Sequence, residues 1–190
     1  MENLQELYFE RDTDWYDWLL KNHNISKGVH LILYKLETNI PTMRWEEAVK
    51  VALCFGWIDS TVKSLGNGKR RQYFSPRNPK STWSALNKRH IKDLESRGLI
   101  QEPGYKMIAL AKKSGTWSEL DYIEELILPK DLETALSENK NALKNFKNFP
   151  KGYCKHYLFW LHQAKRDQTR QKRILEIVRL CEANIKTRGW

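Results

Sequence analysis

The fold of this chain is decided by residues 41–76, which read PTMRWEEAVKVALCFGWIDSTVKSLGNGKRRQYFSP. From Trp45 to Leu53 the apolar residues fall at i, i+3, i+4, i+7 and i+8, and this spacing predicts an amphipathic helix that Gly56 ends. Two strand-like runs follow, and the glycines and asparagine of segment 65–68 (LGNG) between them predict a hairpin turn. The first half of the chain is therefore predicted to combine helices with strands.

The residues before this stretch add one helix and one strand. Asp12 or Thr13 is placed to cap a helix that carries Trp15 on its inner face. Residues 26–37, SKGVHLILYKLE, are rich in apolar and β-branched residues and predict a strand that is buried on both faces. This strand and the hairpin together predict a small antiparallel sheet.

After this stretch the apolar residues recur at a helical spacing. From Pro79 onward the pattern is helical, and Ser81 is predicted to cap a helix that ends at Gly98. The predicted fold class is α+β, with a small antiparallel sheet and helices in the N-terminal half and a mainly helical C-terminal half. A polar, acidic stretch predicts a linker between an α+β domain over residues 1–118 and a helical domain over residues 129–190.

Length and composition exclude several classes of protein. The chain has 190 residues, 41% of them hydrophobic, and no apolar run approaches the ~18 residues that span a bilayer. Its acidic start lacks the order of a signal peptide, so we expect a cytoplasmic protein without membrane insertion. The three cysteines are widely separated and form no CxxC pair, and no phosphate- or dinucleotide-binding glycine motif is present. The sequence therefore predicts neither a metal site nor a cofactor.

The positive charge is concentrated in two blocks. The formal net charge is +10, and residues 60–92 contain nine Lys and Arg and no acid, while residues 129–190 contain 14 Lys and Arg against six acids. If the fold brings the two blocks together, they form a concave anion site. If it does not, they are two solvated faces that keep the protein soluble. The order of residues does not decide between these alternatives.

The most distinctive basic block is AKRDQTRQKRI, residues 164–174. Asp167 is placed to cap the last helix, which predicts an anion-binding site at a helix N-terminus with the basic side chains of Lys165, Arg166, Arg170 and Arg173. Arginine adds forked donors that match phosphate or carboxylate. The alternative is that these arginines pair with acids of the first half and dock the C-terminal helices onto the sheet.

A second group of candidates lies in the N-terminal half. Trp57 and Asp59 occupy alternate strand positions that face the same side. Asp59 is either a general base or the ion-pair partner of an arginine such as Arg77, and the ion pair is the favoured interpretation. The basic block around Arg77 also contains aromatic residues, an arrangement found in proteins that bind single-stranded nucleic acid. The alternative is that two of these rings, Phe74 and Trp83, pack together in the core.

Three blocks support a resemblance to a known family. They are LCFGWIDS at residues 53–60, YFSPRNPKSTWSALNKR at residues 73–89 and AKRDQTRQKRI at residues 164–174. In this order and spacing they resemble the YdeI/OmpD-associated family, also called bacteriocin-protection proteins, and the final ~60 residues resemble the family's own domain. The resemblance implies a bacterial cytoplasmic protein linked to tolerance of bacteriocins. It implies no reaction, cofactor or catalytic residue.

Three functions follow from these observations. The favoured hypothesis is a non-enzymatic stress or bacteriocin-tolerance protein that binds an anionic small molecule or acidic partner through its basic surfaces. The second is an enzyme that acts on a small anionic metabolite, with Asp59 as base and Arg77 or Arg170 holding the anion. The third is a nucleic-acid-binding module. The sequence assigns no catalytic residue and predicts no oligomeric state.

Overall fold

The computed structural model describes residues 4–188 and divides into two units between Glu119 and Leu120, each with its own hydrophobic core. The α+β class is confirmed, with the sheet in the N-terminal half and helices throughout the C-terminal half. No helix in the described part of the chain is long and apolar enough to cross a membrane.

The sheet has four strands, in the spatial order β1-β2-β4-β3. Their bounds are β1 Glu6–Tyr8, β2 Val29–Tyr34, β3 Trp57–Gly66 and β4 Lys69–Pro76. The β3–β4 hairpin is confirmed, and its turn residues Asn67 and Gly68 have φ of 49° and 71°, as two-residue hairpin turns require. The β2–β4 and β3–β4 pairings are antiparallel, as predicted, and β1 pairs in parallel with β2, so the whole sheet is mixed.

Four helices accompany this sheet in the N-terminal unit, namely α1 Asp12–Asn22, α2 Trp45–Cys54, α3 Ala85–Ser96 and α4 Glu102–Ser114. Trp15 of α1 is fully buried, and its indole N–H donates to the carbonyl of Ala48 in α2 at 3.1 Å. The Trp15 ring also packs edge-on against Trp57 and Phe74 of the sheet. One side chain therefore joins two helices to two strands.

Two predicted helix caps are wrong. Helix α1 has Arg11 at its N-cap, so Asp12 and Thr13 lie inside its first turn. Helix α3 begins after Ser84, whose hydroxyl accepts a hydrogen bond from the amide of Asn87 at 3.2 Å, and not after Ser81. A serine three residues further along the chain offers the same capping oxygen, so composition alone did not separate the two positions.

The two faces of the sheet differ. Val29, Leu31 and Leu33 point from β2 into the buried core that the helices complete. The register places the other strand positions on the opposite face, which we call the open face. Its part-exposed side chains include Tyr8, His30, Tyr34, Lys69, Arg71 and Tyr73.

Strand β3 forms one edge of the sheet. From Ser60 to Gly66 its residues are exposed, and Val62 keeps 58% of its surface accessible. Its pairing with β4 shifts register twice, between Asp59 and Val62 and between Ser64 and Gly66. Such bulges bend a strand and interrupt its ladder of hydrogen bonds.

The C-terminal unit is a set of helices around a core of leucines and isoleucines. Its helices are α5 Asp121–Glu124, α6 Lys130–Glu138, α7 Lys140–Asn148, α8 Lys151–His162 and α9 Asp167–Glu182. Leu132, Leu136, Leu158, Leu161 and Ile177 are fully buried at its centre. These helices agree with the prediction of a mainly helical C-terminal half, although α7 was not predicted as a separate helix.

Candidate anion-binding site

Arg170 does not face solvent as a free cation. Its Nε and Nη2 donate to the two carboxylate oxygens of Asp131 at 2.6 and 2.9 Å, a forked arrangement that joins α9 to α6. The hydrogen bond from Arg170 holds the pKa of Asp131 below its ordinary value. The predicted pairing with acids of the first half is therefore wrong for this arginine, since its partner belongs to the same C-terminal unit.

The Asp131–Arg170 pair should stabilise the C-terminal unit in a pH-dependent way. We expect Asp131→Asn to lower the free energy of unfolding by about 1 kcal/mol at about pH 7, a value reduced for partial solvent exposure. Because the folded-state pKa of Asp131 is depressed, this stabilisation is present above the ordinary value of 3.8 and is lost as pH falls through the folded-state pKa. Urea unfolding of wild type and variant at about pH 7 and about pH 3 measures the change.

Glu133→Gln is the matched control for this prediction, because Glu133 is an exposed acid on the same helix. We expect it to leave stability within about 0.5 kcal/mol of wild type. An Asp131→Asn variant whose deficit stays constant from neutral to acidic pH would contradict a role of the ion pair.

The start of α9 differs from the predicted capping arrangement. Arg166 occupies the N-cap, and Asp167 is the first residue of the helix, with no side-chain hydrogen bond capping that end. Lys165 and Arg166 are exposed. Arg173 turns away to α8, where its Nη1 donates to the carbonyl of Trp160. The structure therefore does not gather all four cations on one ligand, and anion binding by Lys165 and Arg166 stays a prediction.

Two arginine side chains converge on the ring of Trp160. The guanidinium carbon of Arg188 lies 4.1 Å from the centroid of the Trp160 ring, and that of Arg173 lies 5.0 Å from it. Both distances fall within the range of cation–π attraction, which places two positive charges beside one indole.

The side chains around Trp160 line a pocket of about 350 Å³. None of its described lining residues is acidic, and they combine aromatic rings with donors: His156, Tyr157, Phe159, Trp160, Gln163, Lys186, Thr187 and Arg188. Phe159 keeps 45% of its surface exposed, and its ring stacks on that of His162 with centroids 6.5 Å apart. Rings and cations without a competing carboxylate suit an anion that carries a flat or apolar group.

The positions of the pocket cations depend on a buried tyrosine. Tyr157 of α8 is 3% exposed, and its hydroxyl donates to the carbonyl of Ile185 at 2.7 Å. Burial raises the pKa of Tyr157 to about 12, so this donor stays protonated at neutral pH. The bond fixes the chain just before Lys186 and Arg188 and so holds that segment against α8.

The sequence did not indicate this pocket. Trp160 lies among other apolar residues of a helix, and Lys186 and Arg188 follow the last helix in a segment without a motif. The available signal was a cluster of aromatic residues at 156–162 in a unit that is strongly basic.

The candidates of the N-terminal unit do not form a site together. Asp59 accepts hydrogen bonds at one carboxylate oxygen from the indole of Trp45 at 2.8 Å and the amide of Gln72 at 2.9 Å. Arg77 lies elsewhere, so the predicted Asp59–Arg77 ion pair is wrong. Trp57 is buried, and its indole donates to the carbonyl of His23 at 3.1 Å.

Arg77 is a buried cation, with 5% of its surface exposed. Its guanidinium stacks 3.9 Å above the centroid of Trp83 and donates to the carbonyl of Thr82. Burial lowers the pKa of Arg77 to about 10. Because the guanidinium is enclosed by this stack, Arg77 supports the packing of segment 77–83 and does not present its charge to a ligand in solution.

Two protein-family models match different parts of the chain. Residues 7–107, more than half of it, match the model of a domain of unknown function, DUF8412. Residues 125–184 match the model described as bacteriocin-protection, YdeI or OmpD-associated, which confirms the resemblance drawn from the sequence. The resembling blocks at residues 53–60 and 73–89 lie within the DUF8412 match. The match to the bacteriocin-protection family therefore covers only the C-terminal part of the chain. Searches of curated proteins and of solved structures found no match.

Proposed function

We propose that this chain, which belongs to the DUF8412 family, acts in bacteriocin tolerance. The C-terminal match to the bacteriocin-protection, YdeI or OmpD-associated family supports this role. In this proposal the chain binds a small anionic molecule beside Trp160. The match associates residues 125–184 with bacteriocin protection. The pocket adds a binding chemistry for that role. The three free cysteines support a cytoplasmic location, where thiols stay reduced.

The observation that carries the proposal is the convergence of Arg188 and Lys186 on a pocket with exposed rings and no acidic lining residue. Thr187 adds a hydroxyl donor between the two cations. A volume of 350 Å³ is near the lower end of the ~300–1,000 Å³ of small-molecule sites, so the pocket suits a metabolite and not a folded partner.

Binding explains the observed arrangement better than catalysis. Asp59, the residue expected to act as a base, belongs to the N-terminal unit and is held by the neutral donors Trp45 and Gln72. Arg170, expected to hold the anion, is occupied by Asp131. Arg77, the alternative residue for holding the anion, is buried against Trp83. All three residues named in the enzyme hypothesis are thus engaged in structural contacts.

Nuclear magnetic resonance of the Trp160 indole N–H tests the proposal, with the signal assigned from Trp160→Phe. The probes are phenyl phosphate and adenosine 5′-monophosphate, and the comparison compounds are phenol, adenosine and inorganic phosphate. We expect both probes to shift the Trp160 signal with saturation and to bind more tightly than any compound that has only the ring or only the anion. Arg188→Ala should weaken probe binding by roughly tenfold or more, because a charge-assisted hydrogen bond contributes about 1.5–3 kcal/mol.

Arg179→Ala is the control, because Arg179 is an exposed arginine of α9 that pairs with Glu176 outside the pocket. It should bind the probes like wild type. The proposal fails if neither probe shifts Trp160, or if Arg188→Ala and Arg179→Ala weaken binding equally.

A further inference from the structure

We propose that the open face of the N-terminal sheet binds single-stranded nucleic acid. This inference concerns a different unit from the pocket beside Trp160 and does not depend on it. It rests on two ring pairs on one sheet face, with cationic side chains between and beside them.

The rings occur at both ends of the face. Tyr8 and Tyr34 meet edge-on with centroids 5.7 Å apart, and Tyr8 keeps 41% of its surface exposed. His30 and Tyr73 lie opposite each other across β2 and β4, with centroids 5.4 Å apart. His30 and Tyr34 are separated by four strand positions, or about 13 Å at ~3.3 Å per residue, a distance that several nucleotides cover. Exposed rings in such an array are surfaces on which unpaired bases stack.

The cations follow the same strands. Lys69 lies opposite Tyr34 in the register, and Lys63 lies opposite Arg71. Arg71 donates to the carboxylate of Glu6 at 2.8 Å, so one positive charge on the face is already paired. Among residues 4–188, Lys63 and Lys69 form no ion pair, although the charge of Lys69 helps to lower the pKa of Glu6 on the same face. These lysines are available to backbone phosphates.

The distribution of rings favours a single strand over other polyanions. Two aromatic residues of the basic block, Phe74 and Trp83, are buried at 0% and 2% exposure, whereas Tyr73 of the same block lies on the open face. A duplex keeps its bases stacked inside and offers only phosphates to such a surface. A single strand can use both the lysines and the rings.

Fluorescence anisotropy with the full chain tests this inference. The probes are labelled oligothymidylate and oligouridylate of about twelve nucleotides, within the site sizes of single-strand binders, and the competitors are unlabelled duplex and heparin. We expect saturable binding that weakens as salt rises. Tyr34→Ala should weaken oligonucleotide binding by roughly fivefold or more, while Tyr34→Phe, which keeps the ring, should bind like wild type. Binding of heparin should be unchanged in both variants.

Two matched variants separate stacking from general charge effects. Tyr105 is an exposed tyrosine of α4, at 43%, and Tyr105→Ala should leave binding unchanged. Lys69→Ala should reduce the salt dependence of binding, and Arg179→Ala in the other unit should not. Melting temperatures of all variants show that each is folded. The inference is overturned if neither oligonucleotide binds at low salt, if duplex competes as well as single strand, or if Tyr34→Ala binds no more weakly than Tyr105→Ala.

Discussion

Replacing Leu53 by alanine should lower the free energy of unfolding by about 2–5 kcal/mol. Leu53 is 1% exposed and belongs to the core cluster of the N-terminal unit, on the helix that leads directly into β3. The variant loses the burial of its methyl groups and leaves a cavity that a close-packed core fills only partly. Urea unfolding followed by fluorescence and by circular dichroism measures the change.

Leu110→Ala provides the comparison, because Leu110 lies on α4 with 39% of its surface exposed. Its loss should cost less than about 1 kcal/mol. Equal effects of the two substitutions would show that Leu53 is not a core residue and that α2 does not pack against the sheet as described.

The three cysteine thiols should be almost unreactive until the protein unfolds. All three are free and buried, and burial raises the pKa of Cys54 to about 11 and that of Cys181 to about 12. For Cys54, a rise from 9.0 to about 11 lowers the thiolate fraction at neutral pH by about a hundredfold. We therefore expect reaction with a disulfide reagent to be at least about a hundredfold slower in native protein than in denaturant, where three thiols should react.

A cysteine that reacts quickly in the native protein would contradict this prediction. Cys54→Ser then identifies the reactive thiol, since a fast phase that disappears in this variant belongs to Cys54. The same variant should bind phenyl phosphate like wild type, because Cys54 lies in the N-terminal unit and the pocket beside Trp160 lies in the other.

Local patterns were sufficient to predict the elements with long apolar stripes and the hairpin. Helix α2 and the β3–β4 turn were predicted because their spacing and turn residues are encoded within a few positions. Strand β1 was missed because it has only three residues, too few to show a period, and exists through its parallel pairing with β2. Helix α7 is rich in lysine and asparagine, and its buried side chains, Ala142 and Phe146, gave too sparse a stripe.

The candidate site was less predictable, because partners distant in sequence decide where a charged side chain points. Arg170 was selected for its position near a helix N-terminus, but Asp131, 39 residues earlier, engages it. Arg173 was selected for the same reason and reaches Trp160 instead. Arg188 was missed because a hydrogen bond from Tyr157 to Ile185 is what brings its segment to the pocket. Helical periodicity contains no information about such contacts.

The edge strand β3 bears on how this protein avoids aggregation. This strand is exposed from Ser60 to Gly66 and offers unpaired backbone groups there to any other chain, and Val62 and Leu65 add apolar surface. Lys63 between them would have to be buried by an incoming strand, and the two register shifts leave only short straight segments for pairing. The irregular edge therefore disfavours the growth of intermolecular β-sheets from this side of the sheet.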